Sequence, residues 1–154
     1  MAQKISINLD MDGTIANLYS CPDWLAKLRA YDPTPYEVAE VMHNMSLLSR
    51  YLNRAQAKGC EINIISWLSK ETTADYDQKV IQAKLAWLRK RLPSVHFDNI
   101  HIVAYGTPKS QFIDRDNLNI LFDDESKNRL EWMQSSSLHF AYPPNTMFDI
   151  LKIL

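Results

Sequence analysis

Two acids two residues apart, Asp10 and Asp12, follow directly on the apolar alternating run Ile5-Ser6-Ile7-Asn8-Leu9, and Gly13 and Thr14 come next. The pattern predicts a buried strand that delivers two carboxylates to one place. Carboxylates at this spacing can share a divalent cation and still leave an oxygen free to attack an electrophile. Asp12-Gly13 would also suit a plain turn. A turn does not account for Asp10, because a charge set against the end of an apolar strand needs a cation or several hydrogen bonds.

Three further polar groups follow apolar runs in the same way. Ser66 comes after Ile62-Asn63-Ile64-Ile65, Lys109 after Ile100-His101-Ile102-Val103 and a short loop, and Asp123-Asp124-Glu125 after Asn119-Ile120-Leu121-Phe122. Each has an ordinary alternative: Ser66 can be a turn former, Lys109 a solvated lysine with Lys70 and Lys127 as rival cations, and the acids a helix cap. One acid suffices for a cap, however, and crowded carboxylates repel unless a cation such as Mg²⁺ offsets them. Lys109 also falls in the first turn of a helix predicted to open at Thr107-Pro108 and run to about Asp114. The macrodipole disfavours a cation there unless an anion is bound to both.

The elements that must position these groups alternate. The spacing predicts a short helix over Pro22 to Ala30, a break at Asp32-Pro33-Thr34-Pro35, and one long helix from Tyr36 to about Lys58 before Gly59. A strand at 62–65 leads to an amphipathic helix from Thr73 to Leu92, halted by Pro93. Strands at 100–103 and 119–122, a helix around Ser126 to Met133, a strand at 138–141 and a closing helix from about Thr146 complete the chain. Strands alternating with helices of crossover length imply an α/β fold with a mainly parallel five-stranded sheet covered on both faces. Ligands of such sheets bind outside the carboxyl ends of the strands, where all these polar groups fall.

Length and composition limit the function classes. A chain of 154 residues is one domain, with room only for a small insertion, about 15–44. Its formal net charge of −1 shows no global bias toward nucleic acid or a lipid surface. Lys84, Arg89, Lys90 and Arg91 are the nearest approach to a basic stripe and read as a solvated helix face. No apolar leader or spanning stretch is present, so a cytoplasmic protein is expected. Cys21 and Cys60 lack metal-ligand spacing and are expected to be reduced; His43, His96, His101 and His139 are scattered.

In order and approximate spacing these residues resemble the four motifs of the haloacid dehalogenase (HAD) superfamily, in its phosphatase branch. Asp10-Met11-Asp12-Gly13-Thr14 is similar to the first motif, Ser66 to the second, Lys109 to the third and Asp123-Asp124 to the fourth. The resemblance implies a Rossmannoid three-layer sandwich with a minimal helical cap. It also implies an aspartyl-phosphate mechanism, with Asp10 as nucleophile and Asp12 as acid and base. Ser66 and Lys109 would bind the phosphoryl oxygens. Mg²⁺ would be held by Asp10, the Asp12 carbonyl, and Asp123 or Asp124. A weaker similarity to 5'(3')-deoxyribonucleotidases makes a nucleoside monophosphate the first substrate to consider, with Trp24, Tyr31, Tyr36 and Trp67 as candidates to contact it. The alternatives are a nucleic-acid end phosphatase, disfavoured by the missing basic stripe, and a binding or regulatory module without turnover. A monomer or homodimer taking a small phosphorylated substrate is the expected state.

Overall fold

The computed structural model describes residues 3–154. The chain enters through β1 (Ile5–Leu9), makes the two-residue β2 (Ala16–Asn17), and passes through α1 (Trp24–Arg29) and α2 (Thr34–Val38) to β3 (Glu40–Val41). Next come α3 (Met45–Ala57), β4 (Glu61–Trp67), α4 (Ala74–Arg91) and β5 (Asn99–Val103). A 3-10 turn at Lys109–Phe112 leads into β6 (Leu118–Phe122), α5 (Ser126–Ser135), β7 (His139–Tyr142) and α6 (Met147–Leu151).

Five of these strands form one sheet in the order β5-β4-β1-β6-β7, and every neighbouring pair is parallel. The α/β architecture expected from the alternation of elements is therefore present. From β1 the chain builds outward on one side through β4 and β5, then returns to the other side of β1 through β6 and β7. The switch point lies between β1 and β6, where open parallel sheets form their ligand crevice.

The two faces of the sheet differ in chemistry. Ile7, Leu9, Ile62, Ile64, Ile120 and Phe122 face a large apolar core completed by Leu48 and Leu52 of α3, Trp87 and Leu88 of α4, and Met147 and Leu151 of α6. The opposite face has a smaller cluster of Ile65, Leu121 and Trp132 of α5. Beside it runs an amide ladder across three strands at one register: Asn99 Nδ2 donates to Asn63 Oδ1 at 3.0 Å, and Asn63 Nδ2 to Asn8 Oδ1 at 3.0 Å. Asn8 and Asn63 are bonded to each other away from water, so the ladder penalises any slip of β1 against β4.

The helix expected from Tyr36 to Lys58 is broken. Chain 39–44 leaves the helical path: the Trp87 indole donates to the Ala39 carbonyl at 2.7 Å, and β3 pairs antiparallel with β2. A new helix, α3, then starts where the Asn44 side chain accepts from Leu47 N at 3.1 Å. The expected helix at Thr107-Pro108 is likewise only the 3-10 turn, since the Thr107 hydroxyl donates back to Ala104 O at 2.7 Å instead of capping forward. Among the described residues, no helix is long and apolar enough to cross a membrane.

Asn63→Ala removes the centre of the ladder and leaves the buried Asn8 Oδ1 without its donor. It is expected to cost about 1–3 kcal/mol of unfolding free energy, read as a lower urea midpoint at unchanged slope; a loss under about 0.5 kcal/mol would show that the ladder contributes nothing beyond a surface position.

Candidate active site

Asp10 is held where β1 ends against β6, its N–H donating to Phe122 O at 3.0 Å. The next residues turn tightly around one carbonyl: Thr14, Ile15 and Ala16 N–H groups all donate to Met11 O at 3.0–3.1 Å, and Gly13 N donates to Ala16 O at 2.9 Å. Gly13 adopts φ +80°, a conformation that costs glycine little. The turn brings the Thr14 hydroxyl within 2.9 Å of Asp10 Oδ2, to which it donates.

The other Asp10 oxygen meets a lysine. Lys109 Nζ lies 2.8 Å from Asp10 Oδ1 and 2.7 Å from Asp123 Oδ2, so one buried ammonium joins the ends of neighbouring strands β1 and β6. Burial alone opposes this charge, but the carboxylates of Asp10 and Asp123 outweigh it and hold the Lys109 pKa above its ordinary value. The expected conflict with a helix dipole does not arise, because Lys109 begins a single 3-10 turn and carboxylates are its partners. Trp67 steadies the loop that carries it: its indole donates to Thr107 O at 2.9 Å, and Lys109 Nζ sits 5.5 Å from the ring centroid.

Asp123 also organises the start of α5. Its Oδ1 accepts from Glu125 N at 2.9 Å, while Arg129 donates to its backbone carbonyl at 2.9 Å. The capping expected of this acidic cluster is absent: no side chain caps α5, and Asp123 instead holds the N–H of Glu125, the residue before the helix. Asp124 is the third acid. Ligand oxygens of Asp10, Asp123 and Asp124 all lie within 4.8 Å of one another. Burial, followed by the charge of Asp10, pushes the Asp123 carboxyl up to about 6 and the Asp124 carboxyl to about 8.

Asp12 points elsewhere. Its Oδ2 is 2.9 Å from Nζ of Lys84, a residue of α4. Burial raises the Asp12 pKa, and Lys84 is the leading influence against that rise. Lys84 also donates to Ser66 Oγ at 2.6 Å and to Trp67 O at 2.7 Å. It is only 1 % exposed, which corrects its assignment to a solvated basic face. The signal was present in the helix spacing: Lys84 falls on the same stripe as Val80, Ala83, Trp87 and Leu88, all buried.

Above the carboxylates opens a cavity of about 290 Å³, with Asp10, Asp12, Lys109, Asp123 and Asp124 at its polar end. Trp24, Tyr36 and Trp67 line it, as do Tyr19 and Tyr105, which sequence reasoning did not single out. Tyr31 does not belong to it; that ring packs edge-on against Tyr76, 5.5 Å between centroids. Ser66 is fully buried and is not part of the lining either, so it meets the site through Lys84. Of the rival lysines, Lys70 reaches the cavity and Lys127 does not.

Asp10, Asp12, Lys109, Asp123 and Asp124 thus converge on one cavity, whereas Ser66 does not reach it. The fold that positions them is α/β, built on a parallel five-stranded sheet. No protein-family model matches the chain, and no curated protein matches its sequence. Two solved structures are similar to it in outline. D,D-heptose 1,7-bisphosphate phosphatase from Burkholderia thailandensis is 15 % identical, over 90 % of this chain and 75 % of the other, with a TM-score of 0.49. The HAD domain of effector protein Lem4 from Legionella pneumophila is 14 % identical, over 91 % and 84 %, with a TM-score of 0.42.

Space around Gly13 is already taken. A Cβ there would fall 2.7 Å from Asp124 Cγ and 2.9 Å from Tyr19 Cε2, closer still to Asp124 Oδ2. Gly13→Ala is therefore expected to displace Asp124 and to lower the unfolding free energy by about 1 kcal/mol or more, read as a lower urea midpoint, whereas a wild-type midpoint would show that the turn tolerates a Cβ.

Proposed function

We propose that this protein is a Mg²⁺-dependent phosphatase that hydrolyses a small phosphate monoester through an aspartyl phosphate on Asp10. The observation that carries this reading is the state of the Asp10 carboxylate at the cavity floor. Lys109 holds one oxygen and Thr14 the other, and each oxygen retains a lone pair. A nucleophile fixed in this way loses little entropy on reaching phosphorus.

The acids fit a divalent cation by charge as well as by distance. When ionised, Asp10, Asp123 and Asp124 carry three negative charges against the one positive charge of Lys109, leaving two negative charges that one dication matches. Asp10, Asp123 and Asp124 would hold the Mg²⁺, which when bound would neutralise charge on the phosphoryl oxygens.

In the first displacement the Asp10 carboxylate attacks phosphorus while Asp12 gives a proton to the departing oxygen. The second displacement reverses the role of Asp12, which takes a proton from the water that cleaves the acyl phosphate. Lys109, anchored between Asp10 and Asp123, offsets negative charge next to the transferring group. Ser66 lies behind this array, buried and bonded to Lys84, so we assign it to holding that lysine rather than to direct contact with phosphate.

A (deoxy)nucleoside monophosphate is the substrate class the cavity favours. Its volume of about 290 Å³ is at the small end for small-molecule sites, and aromatic rings of Tyr19, Trp24 and Tyr36 rise above the carboxylates. Such rings can stack a base.

Phosphate release measured with Mg²⁺ across nucleoside monophosphates and sugar phosphates tests this reading. The nucleotides are expected to be cleaved in preference, with activity lost on chelation by EDTA and reduced about a thousandfold or more in Asp10→Asn at unchanged circular dichroism. Retained activity in Asp10→Asn would contradict the mechanism, and a preference for sugar phosphates would contradict the substrate class.

A further inference from the structure

Among the described residues, Lys84 is the one strongly buried cation that the proposed chemistry does not employ, and its surroundings are fully specified. An ammonium has three donors, and all three are used: Asp12 Oδ2 at 2.9 Å, Ser66 Oγ at 2.6 Å and Trp67 O at 2.7 Å. The Tyr36 ring covers the group, its centroid 5.0 Å from Nζ. The lysine lies in the middle of α4, on a stripe that is otherwise apolar. A leucine or methionine would continue that stripe without the cost of desolvating an ammonium, so packing alone does not explain a lysine.

Two of its partners belong to β4, the strand beside β1, and they fix where Nζ stands. The third is the acid. Because Nζ engages Oδ2, Oδ1 is the Asp12 oxygen left for the cavity that Asp12 lines. Lys84 itself does not line that cavity, so any influence on the reaction passes through the groups it holds.

We propose that Lys84 is a positioning residue for proton transfer: anchored on Ser66 and Trp67, it fixes Asp12 Oδ2 and thereby aims Oδ1 at the leaving-group oxygen. This rests on the phosphatase reading above. As the Asp10 oxygen bonds to phosphorus, the bond from phosphorus to the leaving oxygen breaks and its electron pair stays on that oxygen. The proton on Asp12 Oδ1 moves to the same oxygen, and the resulting carboxylate stands against the fixed ammonium.

A positioning role predicts dependence on the leaving group, because an acid matters most where the departing oxygen is strongly basic. The probes are benzyl phosphate, an alkyl ester, and p-nitrophenyl phosphate, an activated aryl ester that needs little protonation. The parameter is kcat/KM, which excludes the later hydrolysis of the aspartyl phosphate. Lys84→Met is expected to lose about a hundredfold on benzyl phosphate and only a few-fold on p-nitrophenyl phosphate. Added to Asp12→Asn, it is expected to cause no further loss on benzyl phosphate, since both changes disable one device.

Equal losses on the two esters, or multiplicative losses in the double variant, would overturn the proposal. If Lys84→Met lacks the native circular dichroism spectrum, Lys84→Gln is compared in the same way; failure of both to fold assigns Lys84 to the fold and also overturns it. Absence of hydrolysis of both esters by the wild-type protein, on the other hand, would count against the phosphatase reading itself.

Discussion

One buried ammonium bridging two strand ends is the interaction on which the rest of the site depends. β1 and β6 are neighbours at the sheet's switch point, and each ends in an acid, Asp10 and Asp123, with almost no exposure to water. Two buried carboxylates at this separation repel, and removing one partner from a buried ion pair typically costs about 3–5 kcal/mol. Lys109 resolves the repulsion from the β5–β6 connection, at 2.7–2.8 Å from both. Its position depends in turn on the Trp67 indole, which holds the chain at Thr107, and on Asp123, which also holds the Glu125 N–H ahead of α5. The sheet, the loop and the helix are therefore tied together at the same few atoms.

A second ammonium divides the acids by role. Lys109 serves Asp10 and Asp123, whereas Lys84 takes Asp12, so the two acids of the first turn face different partners although only Met11 separates them. Neighbouring acids in different environments can serve as nucleophile and as proton carrier, a division that identical surroundings would not provide. Chain 15–44 lies over this pair. Its β2–β3 pairing closes the base of the segment, and Tyr36 places a ring over Lys84 while lining the cavity.

Much of this was legible in the residues because strand ends are punctuated. Apolar runs that stop in Asp10, Asp123 and, near its end, Ser66 mark where a parallel sheet opens toward ligand, and alternation with helices implies the sheet itself. What could not be read locally depends on tertiary partners. The break at 39–44 follows from a strand pairing with β2 and a bond from Trp87, neither of which leaves a trace in helical spacing. The burial of Lys84 was hidden by residue type: a lysine within an amphipathic helix is ordinarily assigned to the solvent face, and only its place on the apolar stripe argued otherwise. Tyr31 lies in the same 15–44 segment as the cavity aromatics Trp24 and Tyr36, yet its ring packs on Tyr76 instead.

The central claim is that Asp10 carries the phosphoryl group, and the most direct measurement is to trap it there. Protein turning over a monoester with Mg²⁺ is quenched, reduced with borohydride and digested, and the peptide containing Asp10 is sequenced by mass spectrometry. An acyl phosphate at this position is reduced to homoserine, so homoserine in place of Asp10, dependent on substrate, is the predicted result. Turnover with Asp10 unmodified and homoserine at another aspartate, or at none, would contradict the account.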